Sequence, residues 1–313
     1  NEFLPAYNYR PGMSAQVALA SEIISEGKSK RFKMGLIGST DNHKARAGSG
    51  YKEFAKKAMG DSWGAKDNLT WLLPPERGAS FYSTGGLVAV HADSLNRDKI
   101  FDSLYEREVY ATSGERILLW FNLEHPELGN VPMGQEVEIS TNPLFQVKAV
   151  GSFKQKPGCP DYVHTSLGQN EIARLCLNEC YNPSSDRNLI DRIEIIKIIP
   201  SPNPDKFPDQ IQDPWKIFNC MDSIEGCEIK FTDDTYKDSQ GDVVYYARAI
   251  QNPTLAVGGD PLRCTLDGEG NCIKIKPCYA SGEDFDPEDD CLAPVGERAW
   301  SSPLFLSKPK NLQ

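Results

Sequence analysis

Apolar residues recur at helical spacing over residues 14–26, where Val17, Ala18, Ile23 and Ile24 fall near one stripe. Ser14 reads as the N-cap of this helix and Gly27 as its stop. A short buried strand is predicted over residues 33–38 (KMGLIG), followed by the polar loop Ser39-Thr40-Asp41-Asn42-His43. The alternation then repeats: a strand at 86–91 (GLVAVH), a helix at 96–108 with Ile100, Phe101, Leu104 and Tyr105 turned inward, and a strand at 108–112. Strand, helix and strand in such short order predict parallel pairing through right-handed crossovers, an α/β arrangement. Between the two units, residues 60–83 carry Trp63, Trp71, Pro74, Pro75 and Gly78 in a loop long enough to be functional.

Beyond about residue 117 the helical period fades, apart from a short helix expected around 171–179. Short β-rich runs take over at 117–123, 137–140, 144–150, 193–199, 243–251, 272–275 and 304–306, with Pro/Asp-rich turns such as 200–214 between them. An antiparallel sandwich is the simplest packing for such a series. The predicted fold class is therefore α/β plus all-β, with residues 1–117 forming the first part and 118–313 a β domain.

Composition narrows the function classes. A length of 313 residues leaves room for about two domains. The net charge of −10 argues against a surface that tracks a nucleic-acid backbone, so no nucleic-acid partner is expected. No apolar run approaches the roughly 20 residues needed to cross a bilayer. Residues 1–12 have neither the basic start nor the apolar stretch of a signal peptide, which predicts a mature, trimmed or partial chain.

All nine cysteines fall between Cys159 and Cys291, in loop-rich sequence, which predicts disulfides and an extracytoplasmic setting, periplasmic or secreted. Cys264 and Cys272 flank the turn signal Asp267-Gly268-Glu269-Gly270 and are expected to face each other across a hairpin. Cys220–Cys227 and Cys278–Cys291 are the other expected pairs. An odd count leaves at least one thiol free or bonded outside the chain. A zinc site at Cys176-x-x-x-Cys180 is the competing reading, weakened by the lack of a second well-spaced pair.

The sharpest local signal for chemistry is Asp41-Asn42-His43. In extended backbone, residues two apart point the same way, so the carboxylate and the imidazole converge as a two-ligand wedge for a divalent metal. A turn Asp beside a surface His is the bland alternative. Residues 1–60 contain ten Lys/Arg against five Asp/Glu, a net +5 in an acidic chain, and a positive collar there would attract an anionic substrate. Lys44 and Arg116 are candidates to hold its anionic group. His91, at the end of a predicted strand, either lines the same mouth or is a hydrogen-bonded structural histidine. The acidic stretch 284–290 lacks the EF-hand pattern and reads as a solvated loop, and Asn68-Leu69-Thr70 is a formal glycosylation sequon.

The runs GLIGSTDNHKARAG (35–48), GGLVAVHADSLNRDKIFDSLYEREVYATSGERI (85–117), VVYYARAIQNP (243–253) and ERAWSSPLF (297–305) resemble a bacterial group within the PHP-type metallohydrolases, the DUF3604 family. The resemblance spans most of the chain in order. It implies that residues 1–117 are the C-terminal part of a distorted (β/α) barrel whose strand mouths hold two or three divalent ions, Zn, Mn or Fe. It also implies that Asp41 and His43 match the last metal-binding motif of that barrel. PHP proteins add a His-x-His pair and further ligands from earlier strands, whereas only His43, His91, His125 and His164 exist here. A missing N-terminal half, in the same or a cleaved chain, is expected to complete the site. The implied reaction is metal-dependent hydrolysis of a small anionic ester, a phosphoester first. Relatives sharing the Tyr-Ala-Thr-Ser-Gly run (110–114) include carbamate ester hydrolases, so a carboxyl-type ester is the alternative. A non-catalytic extracytoplasmic binding or structural protein is the reading from a different class.

Overall fold

The structure is a computed structural model, and it describes residues 14–39, 86–176, 178–239, 241–257, 264–275 and 292–309. The described chain opens with helix α1 (Ala15–Ala20) and the strands β1 (Glu22–Ser25) and β2 (Lys28–Arg31). Strand β3 (Leu87–Val90), helix α2 (Arg97–Tyr105) and strand β4 (Val109–Thr112) follow. Next come β5 (Leu118–His125), β6 (Gly129–Pro132), β7 (Glu136–Glu138), β8 (Leu144–Val150) and β9 (Phe153–Gln155). Short helical pieces α3 (Asp161–Ser166) and α4 (Gln169–Glu171) and a π-helical turn (Ile172–Cys176) lead to β10 (Pro183–Arg187) and β11 (Ile190–Ile198). Helix α5 (Phe207–Gln210) precedes β12 (Ile211–Asn219), β13 (Cys227–Thr232), β14 (Val243–Gln251) and β15 (Thr254–Val257). The last strands are β16 (Cys264–Leu266), β17 (Cys272–Ile275), β18 (Leu292–Val295), β19 (Arg298–Ser301) and β20 (Leu304–Ser307).

Two sheets organise the fold. The larger has the order β12-β11-β14-β19-β4-β3, with β20 pairing β14 and β7 pairing β20 in parallel; the smaller is β13-β8-β5-β6. Strict alternation along β5 and β8 sends Leu119, Phe121, Leu123, Phe145 and Val147 inward, where they meet Ile193, Ile195, Tyr245, Ala247 and Ala249 of the larger sheet. Phe121 and Phe145, with ring centres 5.4 Å apart, are fully buried, each contributing about 1.5–3 kcal/mol. The opposite face of the larger sheet is covered too: Ile196, Ile198, Val244, Tyr246 and Phe305 pack with Leu19 and Ala20 of α1. Burial on both faces explains why β14 reads as a nearly continuous apolar run. A disulfide from Cys220 to Cys227 ties the end of β12 to the start of β13, and so one sheet to the other.

Several expectations need correction. The helix predicted over 14–26 keeps its cap, with Ser14 Oγ accepting from the Val17 N–H, but ends at Ala20. Its remainder forms the β1–β2 hairpin, because Glu26 and Gly27 both adopt positive φ (52° and 71°), the two-residue turn that matches strand twist. Strands β3 and β4 pair antiparallel, not parallel. The His91 N–H to Glu108 carbonyl bond closes their connection at one end, so α2 does not cross the sheet face as a βαβ helix would. Phe101, Leu104 and Tyr105 are accordingly exposed rather than turned inward. Residues 33–38 form no strand ladder among the described residues. The described chain is mostly β and contains no closed barrel. β3 and β4, from the segment expected to be barrel, are the last two strands at one end of the larger sheet, with β3 on its edge.

Residues 118–313 are β-rich with cystine cross-links, as expected, and their strands pair antiparallel apart from β7 with β20. β12 was hidden in sequence by Pro214, which an edge strand tolerates because no further strand needs its missing N–H.

Candidate functional site

Asp41, His43 and Lys44 lie outside the described residues, as do Trp63, Trp71, Cys278, Cys291, the sequon and the acidic stretch. The approach to Asp41 is described as far as Ser39. Gly35 sits beside Val109, Arg107 and Ser302, and Gly38 beside Leu87 and Thr112, so residues 35–38 run alongside β4 in the same direction. A Cβ on Gly38 would lie 2.7 Å from the Leu87 carbonyl oxygen and 2.9 Å from that of Thr112, so only glycine fits this approach. The Ser302 hydroxyl accepts from the Leu36 N–H at 3.0 Å and donates to the Val109 carbonyl at 2.5 Å, pinning the segment midway. At its start, Arg107 donates to the carbonyls of Gly134 and Lys33, and Arg107 and Lys33 both pair with Glu136. Partial burial pushes the Glu136 carboxyl up, but Lys33 and Arg107 outweigh it and hold the group below its ordinary range.

The residues leading into Asp41 therefore share one rim with the carboxyl end of β4. Ser113 pairs with the Glu297 carboxylate there, and its hydroxyl accepts from the Arg298 N–H at 2.8 Å. Glu297 is buried. It was missed as a candidate because it opens the ERAWSSPLF run without any ligand spacing around it; only the pairing of β19 with β4 brings it to this rim. Arg116 follows β4 in the chain by four residues, and its guanidinium lies 3.6 Å above the Tyr181 ring.

His91 sits at the other end of β3, about 13 Å away by strand rise. Its Nε2 is 2.9 Å from the Leu119 carbonyl, and its ring lies between those of Tyr110 and Trp120. Burial pushes the imidazole below its usual 6.5, opposed only in part by the Leu119 bond. This is the environment of a structural histidine. A fold that prefers the neutral ring is fully stabilised above about pH 6.5 and loses that contribution as pH falls toward the depressed native value. His91→Gln is expected to remove this slope, measured as urea midpoints at about pH 8 and about pH 5.5. An unchanged slope in the variant would contradict the assignment.

Among the described residues, the histidines do not converge. His125 Nδ1 accepts from the N–H groups of Glu127 and Leu128, and His164 stands in the last turn of α3. The group with metal-ligand proximity is instead Cys159, Cys176 and Cys180, whose sulfurs lie within 4.8 Å of one another. Cys159 and Cys180 are joined as a disulfide, which does not offer the thiolates that zinc takes.

Residues 15–123 match the family described as "Protein of unknown function (DUF3604)". This match supports the DUF3604 family. It covers α1 to most of β5, and with them Asp41, His43, Lys44, His91 and Arg116. Uncharacterized proteins of Chlamydia muridarum (strain MoPn / Nigg) and Chlamydia trachomatis serovar D are each 36% identical, over 62 and 58 residues. These stretches are 20% and 18% of this chain but 9% and 8% of the relatives' own length. No solved structure matches the chain. No helix among the described residues is long and apolar enough to cross a membrane. The three disulfides among the described residues fit an oxidising environment.

Proposed function

We propose that this chain is the C-terminal portion of a PHP-type, metal-dependent hydrolase acting on small phosphoesters in an extracytoplasmic compartment. The observation that carries the reading is the approach to Asp41: a glycine-restricted segment running with β4 toward that strand's carboxyl end. The DUF3604 match covers the segment containing Asp41-Asn42-His43.

Asp41 and His43 are the proposed metal ligands and Lys44 and Arg116 the groups that orient the anionic ester. A carboxylate with a neutral imidazole suits Zn, Mn or Fe. His91 and His125 are engaged in hydrogen bonds and the described histidines do not converge, so this reading needs further ligands for a di- or trinuclear site from outside the described residues. The bound ions would supply a water of lowered pKa and polarise the phosphoryl oxygen. The chain's own part is to fix its two ligands, through Gly38 and the Ser302 hydroxyl, and to neutralise the substrate through its cations.

The test is phosphoesterase activity of the intact parent protein. Loss of an outer-shell partner already costs 10–100-fold in such sites, so Asp41→Ala and His43→Ala are each expected to lower kcat/KM by about 100-fold or more. Activity on carboxyl or carbamate esters alone would select the alternative substrate class. Unchanged activity in both variants would defeat the hydrolase reading. A second reading, a binding module, is favoured by the open depression on the outer face of the smaller sheet, lined by Trp120, Asn122, Gln146 and Lys148.

A further inference from the structure

The free thiol Cys176 has its sulfur within 4.8 Å of both sulfurs of the Cys159–Cys180 disulfide. The local chain explains this convergence. Buried Ile172 anchors the π-helical turn that ends at Cys176. Asn178 then adopts φ 61°, a left-handed conformation that asparagine tolerates, and reverses the chain. Bonds from the Asn178 N–H to the Ile172 carbonyl and from the Glu179 N–H to the Cys176 carbonyl close the reversal, bringing Cys180 back over Cys176.

The Cys159 side is held without help from the disulfide. The Glu179 carboxylate accepts from the Gly158 N–H at 3.1 Å, and the Cys180 N–H donates to the Gly158 carbonyl at 3.3 Å. Asn182 Nδ2 donates to the Pro157 carbonyl at 3.0 Å, and the Lys156 N–H donates to the Asn182 carbonyl at 2.7 Å. Opening the sulfur–sulfur bond therefore leaves the two backbones together and all three sulfurs within reach. Cys176 and Cys180 are half-buried rather than sealed in the core.

We propose that Cys159, Cys176 and Cys180 form a thiol–disulfide exchange site in which one disulfide is shared among three sulfurs. The Cys176 thiolate attacks one sulfur of the bridge. A bond forms to that sulfur as the Cys159–Cys180 bond breaks, and the electron pair departs on the displaced sulfur, which takes up a proton. Nothing is oxidised or reduced overall, so no external oxidant is needed. The product is Cys176–Cys180 with Cys159 free, or Cys159–Cys176 with Cys180 free, and the thiol offered to solvent changes identity. Because the thiolate is the attacking species, exchange accelerates with pH.

The experiment is disulfide mapping of the full chain, held without added thiol at about pH 7 and about pH 8.5, quenched in acid, alkylated and digested. Alkylation at Cys159 or Cys180 as well as Cys176 is expected, with either new linkage, appearing faster at the higher pH. The rate is expected to stay constant over a roughly tenfold dilution, as an intramolecular step requires. Cys176→Ser is expected to leave the cluster without alkylation. Cys180→Ser, treated with oxidised glutathione as the two-electron oxidant, is expected to form Cys159–Cys176, which checks reach independently of the native bridge. Label confined to Cys176 at both pH values, or two persistent thiols in Cys180→Ser, would overturn the proposal. So would stoichiometric zinc on three reduced sulfurs in freshly purified protein.

Discussion

Replacing Asp233 by alanine is expected to lower folding stability by about 3–5 kcal/mol, because it strands a buried ammonium. Asp233 follows β13 in the smaller sheet and is fully buried, with Lys197 of β11 at 2.5 Å. Residues 193, 195 and 197 point into the sandwich, so Lys197 stands where an apolar side chain would otherwise sit. The carboxylate is satisfied on all sides: Tyr245 donates at 2.5 Å, and Thr235 donates through its hydroxyl at 2.6 Å and its N–H at 3.0 Å. Burial pushes the Asp233 carboxyl up, but Lys197, Thr235 and Tyr245 outweigh it and hold the group below its ordinary range. Burial and the same carboxylate push the Tyr245 phenol up. A carboxylate with a depressed pKa stabilises the fold above about pH 4 and loses that contribution as pH falls further. Asp233→Ala should thus show a lower urea midpoint at neutral pH and a shallower loss in acid. Adding Lys197→Met should recover much of the deficit, since an apolar pair of similar volume often replaces a buried ion pair at little cost. A double variant no more stable than Asp233→Ala would contradict this account.

Arg248→Met is expected to cost about 3 kcal/mol, near the low end for a broken buried pair because Glu194 keeps Arg192 as a partner. Arg248 lies directly across from Glu194 in the β11–β14 ladder and reaches Asp213 of β12 at 2.6 Å. Asp213 also accepts from Gln16 Nε2, which donates to the Tyr246 hydroxyl as well, so one guanidinium links three strands to α1. Burial works against the charged guanidinium, but Asp213 and Glu194 outweigh it and raise its pKa. Hydrogen exchange separates this loss from a uniform one: amides of α1 are expected to lose protection beyond the global change. Equal loss in α1 and in β5 would show that the network does not anchor the helix.

How much of this was legible in sequence depends on the range of the interaction. β8, β14 and β20 fall where their apolar runs predict them, because a strand buried on one or both faces is written in consecutive residues. The Cys220–Cys227 and Cys264–Cys272 bridges were readable for the same reason, being seven and eight residues apart. Cys159–Cys180 was not, since it depends on the reversal at Asn178 and on the bonds to Gly158 and Asn182. The antiparallel pairing of β3 and β4 was equally invisible, because the intervening helix gives a parallel crossover and a closed loop the same sequence pattern. At the candidate site, Asp41, His43 and Lys44 lie outside the described residues, and the pairing of β19 with β4 adds Glu297 and Ser113 at the end of β4.

The central claim is that the chain carries a two-ligand wedge for divalent metal at Asp41 and His43, and metal content tests it most directly. The intact parent protein, purified without chelator and measured by mass spectrometry of its metals, is expected to hold about two or more Zn, Mn or Fe per chain. Asp41→Ala and His43→Ala, still folded by circular dichroism, are each expected to lose at least about one of these ions. Intact protein free of such metals, or both variants retaining the full complement, would contradict the claim.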